Sequence, residues 1–167
     1  MTGDAQVVEV EAIGHGHKKR CSVEIVPPGG LRGTLEAECF ELDPVLNPTD
    51  VITDKQRFRV RVRWCLLGDL RRHLCGSFCV CVAWESCGPA VEGQWCQEIP
   101  LNPCDDDGCY ELDFDFAPGQ LPAGDCGTIY CLCVTISSRQ ICPDGTKYVG
   151  LMHGFCKDVC CIMVRPG

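Results

Sequence analysis

The sequence predicts an all-β fold of two packed antiparallel sheets, and three features carry that expectation. Hydrophobic residues recur with period two in segment after segment, 18 Gly and 11 Pro punctuate the chain, and no stretch carries an apolar stripe at helical spacing. The clearest stretch is Arg57 to Leu66. There Phe58, Val60, Val62, Trp64 and Leu66 fall on one face, and Arg57, Arg59, Arg61, Arg63 and Cys65 on the other. After Leu67-Gly68-Asp69 the run Phe78 to Trp84 repeats the pattern, with Phe78, Val80, Val82 and Trp84 on one face and Cys79, Cys81 and Ala83 on the other. Ordinary hydrophobes already furnish a core face in both runs. These cysteines are therefore expected on the outside of the sheet.

The remaining elements follow in chain order. Residues 5–13 alternate as a strand with Val8, Val10 and Ala12 on one face, and the polar loop Gly14 to Arg20 leads to a second strand, Cys21 to Val26, stopped by Pro27-Pro28-Gly29-Gly30. A third strand, Thr34 to Leu42, sets Leu35, Ala37 and Cys39 against Glu36, Glu38 and Phe40. Asp43 to Asp50 carries two prolines that break any ladder, so the chain divides into an amino-terminal strand-forming arm, 1–50, and a sandwich domain, 51–167. Three strands in 50 residues do not make an independent core, so the arm is expected to pack on its own sandwich or on that of a neighbouring subunit. Beyond Trp84 come a short irregular strand over 91–99, a clear one from Tyr110 to Phe116, another from Thr128 to Ser137, and closing strands over 147–152 and 159–164. About 115 residues in such strands match the size of an immunoglobulin-like domain, and the architecture expected is an immunoglobulin-like or jelly-roll sandwich.

Composition narrows the function classes. A formal net charge of −8 argues against a nucleic-acid binder, whose affinity comes from a concentrated basic surface. No run approaches the roughly 20 apolar residues of a membrane helix. Seventeen cysteines in 167 residues signal a disulfide scaffold or a metal–thiolate protein. No Cys-x-x-Cys pair occurs, and spacings such as Cys79-x-Cys81 and Cys131-x-Cys133 put thiols on a shared sheet face within reach of neighbouring strands. Disulfides are therefore expected over metal. The odd total leaves at least one thiol free or bonded to another chain. No leader is visible at Met1 to Gln6. Three settings reconcile that with disulfides: a secreted chain without its leader, a hyperthermophile's interior, or a cell that later lyses and lets its products oxidise, as for spore-surface proteins.

Candidate functional residues follow from these patterns. Cys65, Cys75, Cys79, Cys81, Cys87, Cys96, Cys104, Cys109, Cys126, Cys131, Cys133 and Cys142 are candidates for disulfides within the chain, and Cys21, Cys39, Cys156, Cys160 and Cys161 for bonds between subunits. Arg57, Arg59, Arg61 and Arg63 form a basic stripe, and Glu111, Asp113 and Asp115 an acidic one. Side by side these would make cross-strand ion pairs, and at opposite ends of the molecule a self-complementary surface for assembly. Asp105 and Asp107, in a turn ending at Gly108, are a weak calcium candidate without full EF-hand spacing, and His15-Gly16-His17 reads as well as a surface loop as a metal site. No cofactor or other metal site is expected. With no Gly-x-Ser-x-Gly, His-Glu-x-x-His or phosphate-loop motif, no catalytic role is expected either.

The expectation is a structural protein whose partner is itself, a disulfide-hardened subunit of an extracellular or spore- or cell-surface fibre, shell or layer. The alternatives are an adhesin- or lectin-like extracellular binding module, with recognition loops over 85–95 and 100–109, and a thiolate metal-binding protein.

Overall fold

The computed structural model describes residues 19–25, 31–42, 47–48, 50–69, 71, 76–101, 108–141 and 144–167. These form ten strands: β1 (Lys19–Ile25), β2 (Arg32–Glu41), β3 (Asn47–Pro48), β4 (Val51–Thr53), β5 (Phe58–Leu67), β6 (Ser77–Ser86), β7 (Gly93–Pro100), β8 (Cys109–Phe116), β9 (Thr128–Ile141) and β10 (Lys147–Arg165). No helix occurs among the described residues. The strands follow the order β7-β6-β9-β10-β1-β2-β5-β8 and build two sheets joined through β1. The first half of β1 pairs with β2 and the second half with β10. Every pairing is antiparallel except that of β4 with β10. The chain is thus an all-β, disulfide-rich, two-sheet fold. The strand over 5–13 lies outside the described residues.

Alternation explains the packing. In β5, Phe58, Val60, Val62, Trp64 and Leu66 are buried, and in β6, Phe78, Val80, Val82 and Trp84. These faces meet through aromatic rings: Trp64 packs edge-on to Phe78 at 5.5 Å between centroids, and Trp84 edge-on to Phe116 at 5.5 Å. Trp95 of β7 stands edge-on to Phe114 at 5.4 Å, which brings the two outermost strands, β7 and β8, together across the interior. Gly154 lets the sheets close on their other side. A Cβ there would lie 2.6 Å from Ile136 Cγ2 and 3.1 Å from Leu35 Cδ2, so a larger residue would wedge β10 away from β2.

Three expectations change. The closing strands over 147–152 and 159–164 are one strand, β10, with register shifts between Val149 and His153 and between Cys156 and Cys160. Asp158, inside the second shift, has φ 51°, a left-handed conformation that an Asp side chain tolerates. The irregular strand over 91–99 is a regular strand at the sheet margin, Gly93–Pro100. Sulfur is not confined to the outside, since Cys39, Cys156 and Cys160 lie in the core.

The basic and acidic stripes lie side by side. Arg59 stands opposite Asp115, Arg61 opposite Asp113 and Arg63 opposite Glu111 along β5 and β8. Arg61 donates to Asp113 from Nε at 2.8 Å and from Nη2 at 3.0 Å, Arg59 donates to both carboxylate oxygens of Asp115, and Arg63 pairs with Glu111. Arg59 also reaches Asp113 at 2.7 Å, so these pairs form a connected ladder within one chain rather than an assembly surface. The Arg59 hydrogen bond holds the Asp115 carboxyl below its ordinary range, against a smaller opposing effect of burial. A depressed carboxylate pKa stabilises the fold above the unfolded value, near 4, and that contribution is lost as pH falls through the folded value. Asp115→Asn should therefore lower stability at pH 7 by less than about 1 kcal/mol, because the side chain is half exposed, and the loss should shrink as pH falls toward 2. Urea unfolding at the two pH values checks this.

Candidate functional site

The feature left after the fold is accounted for is sulfur. In a strand, one dipeptide of cysteines sends one sulfur to each face, and a Cys-x-Cys sends both to the same face. Cys160 is accordingly buried and Cys161 exposed, while Cys79 with Cys81 and Cys131 with Cys133 sit half-buried on the outer face of the sheet formed by β7, β6, β9 and β10. Cys96 on β7 and Cys87, one residue beyond β6, are exposed.

Four disulfides form among the described residues. Two are direct cross-strand staples, Cys65–Cys109 between β5 and β8 with Cα atoms 4.0 Å apart and Cys81–Cys96 between β6 and β7 at 4.1 Å. The others are Cys21–Cys156, with Cα atoms 5.1 Å apart, and Cys39–Cys160, at 6.8 Å, linking β1 and β2 to β10. Cys65, Cys81, Cys96 and Cys109, all candidates for bonds within the chain, thus pair inside it. Cys21, Cys39, Cys156 and Cys160, expected between subunits, also pair inside it. The reason is topological: β1 lies between β10 and β2, which puts Cys21 opposite Cys156 and turns Cys39 and Cys160 toward each other across the interior.

Cys79, Cys87, Cys126, Cys131 and Cys133, expected in bonds within the chain, remain unbonded, as does Cys161; the two Cys-x-Cys pairs miss each other because Ser137 faces Cys79, Thr135 faces Cys81 and Ala83 faces Cys133. Cys75, Cys104 and Cys142, like Asp105, Asp107, His15 and His17, lie outside the described residues. Four of the unbonded sulfurs, those of Cys79, Cys87, Cys131 and Cys161, lie close to another sulfur. Cys79 Sγ lies 3.9 Å from Cys81 Sγ, and Cys87 Sγ lies 3.9 Å from Cys131 Sγ. Cys131 also stands directly opposite Cys161 in the β9–β10 ladder. Its thiol is pushed up to about 12 by a hydrogen bond with Cys161, by burial and by a hydrogen bond with Cys87. Both neighbours favour a Cys131 that keeps its proton.

Cys79, Cys81 and Cys96 have sulfurs within 4.8 Å of one another, the spacing of a thiolate metal site. The Cys81–Cys96 bond takes two of those donors out of thiolate chemistry, so the trio fits a soft metal ion only after reduction. The outer sulfur face is suited to covalent bonding. Four disulfides fit an oxidising setting, and no helix among the described residues is long and apolar enough to cross a membrane. Set against known proteins, the chain matches no family model, no curated protein and no solved structure.

Proposed function

We propose that this chain is a structural protein that assembles with copies of itself into a disulfide-hardened fibre, shell or layer outside the cell or on a cell or spore surface. The observation that carries the reading is the exposed, unbonded sulfur of Cys87, Cys126 and Cys161 on a sandwich whose interior is filled and stapled without it. Four disulfides already harden the fold, and an odd total of 17 cysteines leaves every chain with sulfur to share. Among the described residues β7 and β8 end the strand order, and an added strand from a neighbour would extend the ladder there. The alternating stretch over 5–13 is the segment of this chain with the pattern to supply that strand.

The test uses the full chain and a truncation lacking residues 1–18. Deleting 1–50 would also remove β1 and β2, two strands inside the sheets. Without reductant, the full chain is expected to give large species by light scattering and a ladder on non-reducing gels after mild heating, and the truncation to stay folded and lose the large species. A single monomer band at every concentration, with no large species, overturns the reading.

A further inference from the structure

The geometry points to a thiol–disulfide exchange site at Cys87, Cys131 and Cys161, in which Cys131 is the pivot and a low-molecular-weight disulfide is the reactant. Strand order supplies the arrangement. β9 lies between β6 and β10, so Cys131 has a sulfur on each flank: Cys87, just past the end of β6, at 3.9 Å, and Cys161 of β10 directly across the ladder. Exchange proceeds in line, with the attacking sulfur approaching opposite the leaving one. A middle strand between two sulfur-bearing neighbours sets that line. Cys131 and Cys161 are directly opposed, as are the bonded pairs Cys65–Cys109 and Cys81–Cys96, whereas Cys87 stands diagonally, two residues past Glu85, which faces Cys131 across the β6–β9 ladder.

The chemistry divides by accessibility. Cys87 and Cys161 are exposed, and Cys131 is half-buried and holds its proton, so attack on an external disulfide RSSR falls to a flanking thiolate. Taking Cys161 first, its thiolate displaces one RS⁻, which takes up a proton, and Cys161 now carries SR. Cys131 then attacks Cys161 Sγ, loses its proton and expels the second RS⁻. The two cysteines lose two electrons and two protons, and RSSR becomes two RSH. Cys87, as thiolate, next attacks Cys131 Sγ. The Cys87–Cys131 bond forms, the Cys131–Cys161 bond breaks, and its electron pair leaves on Cys161, which takes a proton. That last step is redox-neutral and reversible. One exposed thiol, Cys87 or Cys161, is free at every stage.

Because each step is intramolecular or uses a small reactant, the site stands whether or not the chain polymerises. The test treats the folded full-length protein with mild reductant under native conditions, confirms by peptide mapping that the four bridges stay closed, reoxidises with glutathione disulfide, quenches with acid, alkylates, and maps the peptides by mass spectrometry. Expected are two isomers, Cys131–Cys161 and Cys87–Cys131, that equilibrate from either starting point, with Cys131 bonded in both. Cys87→Ser should leave only the first isomer and Cys161→Ser only the second, and both replacements are at exposed positions that the core does not need. With the four bridges intact and the Cys87, Cys131 and Cys161 thiols free, Cys131 should be alkylated at pH 8 at least about tenfold more slowly than in the Cys87→Ser, Cys161→Ser double variant. A single fixed isomer in the unsubstituted protein, a direct Cys87–Cys161 bond, or alkylation of Cys131 at the same rate in both proteins overturns the proposal.

Discussion

A chain in which Cys21, Cys39, Cys156 and Cys160 are all alanine is expected to lose about 8 kcal/mol of stability, against about 3 kcal/mol when either pair alone is removed. The two bonds span 135 and 121 residues, and either one alone restricts the unfolded chain by about 5 kcal/mol in the loop-closure account. They run nearly in parallel, from β1 and β2 to one short stretch of β10. With one closed, the other confines only a loop of roughly 20 residues, worth about 3 kcal/mol. Losses should therefore be more than additive by about 2 kcal/mol, and the quadruple variant should stand at the edge of folding, since a domain holds about 5–15 kcal/mol in all. Guanidinium unfolding of the two single-bridge variants and the quadruple variant, with the other bridges intact, measures it. Equal, additive losses would show that the bridges act on separate parts of the fold.

Trp64→Ala should cost about 3–5 kcal/mol, and Trp64→Phe much less. The indole is 1% exposed, stacks on Tyr110 at 5.4 Å and packs edge-on to Phe78, so it fills the space between the sheets where β5 and β8 face β6. Its Nε1–H is buried and finds no hydrogen-bond partner among the described residues. Phenylalanine loses part of the ring but also removes that uncompensated donor, worth about 1–3 kcal/mol. The two effects oppose each other. A Trp64→Phe loss as large as that of Trp64→Ala, in the same denaturant titration, would mean the indole N–H is satisfied after all.

Strand content and facing were legible in the sequence because period two is a local property. Every inward residue expected in β5 and β6 is buried, and the arginine and carboxylate stripes could be matched by length and spacing before their pairing was known. Pairing order is not local. Nothing in Cys21 to Val26 says that the strand sits between β10 and β2, and from that single placement follow the Cys21–Cys156 and Cys39–Cys160 bonds. The unity of β10 was hidden for a related reason: two register shifts interrupt its alternation, and a strand read by periodicity ends where the period slips. The outer sulfur row was half visible. The spacing Cys131-x-Cys133 puts both sulfurs on one face, but grouping Cys161 with Cys160 hides that adjacent strand residues face opposite ways, one buried and one exposed.

The sulfur row on β9 and its flanks has a consequence for how large a covalent particle can grow. Three sulfurs that close one bond among themselves leave a single valence per chain, and units of valence one couple only in pairs. Joining through this row alone would stop at dimers, whereas an unending covalent strand needs a second bonding position on each subunit, well separated from the first. The length distribution of covalent species on a denaturing, non-reducing gel therefore counts the linkage points that each subunit presents.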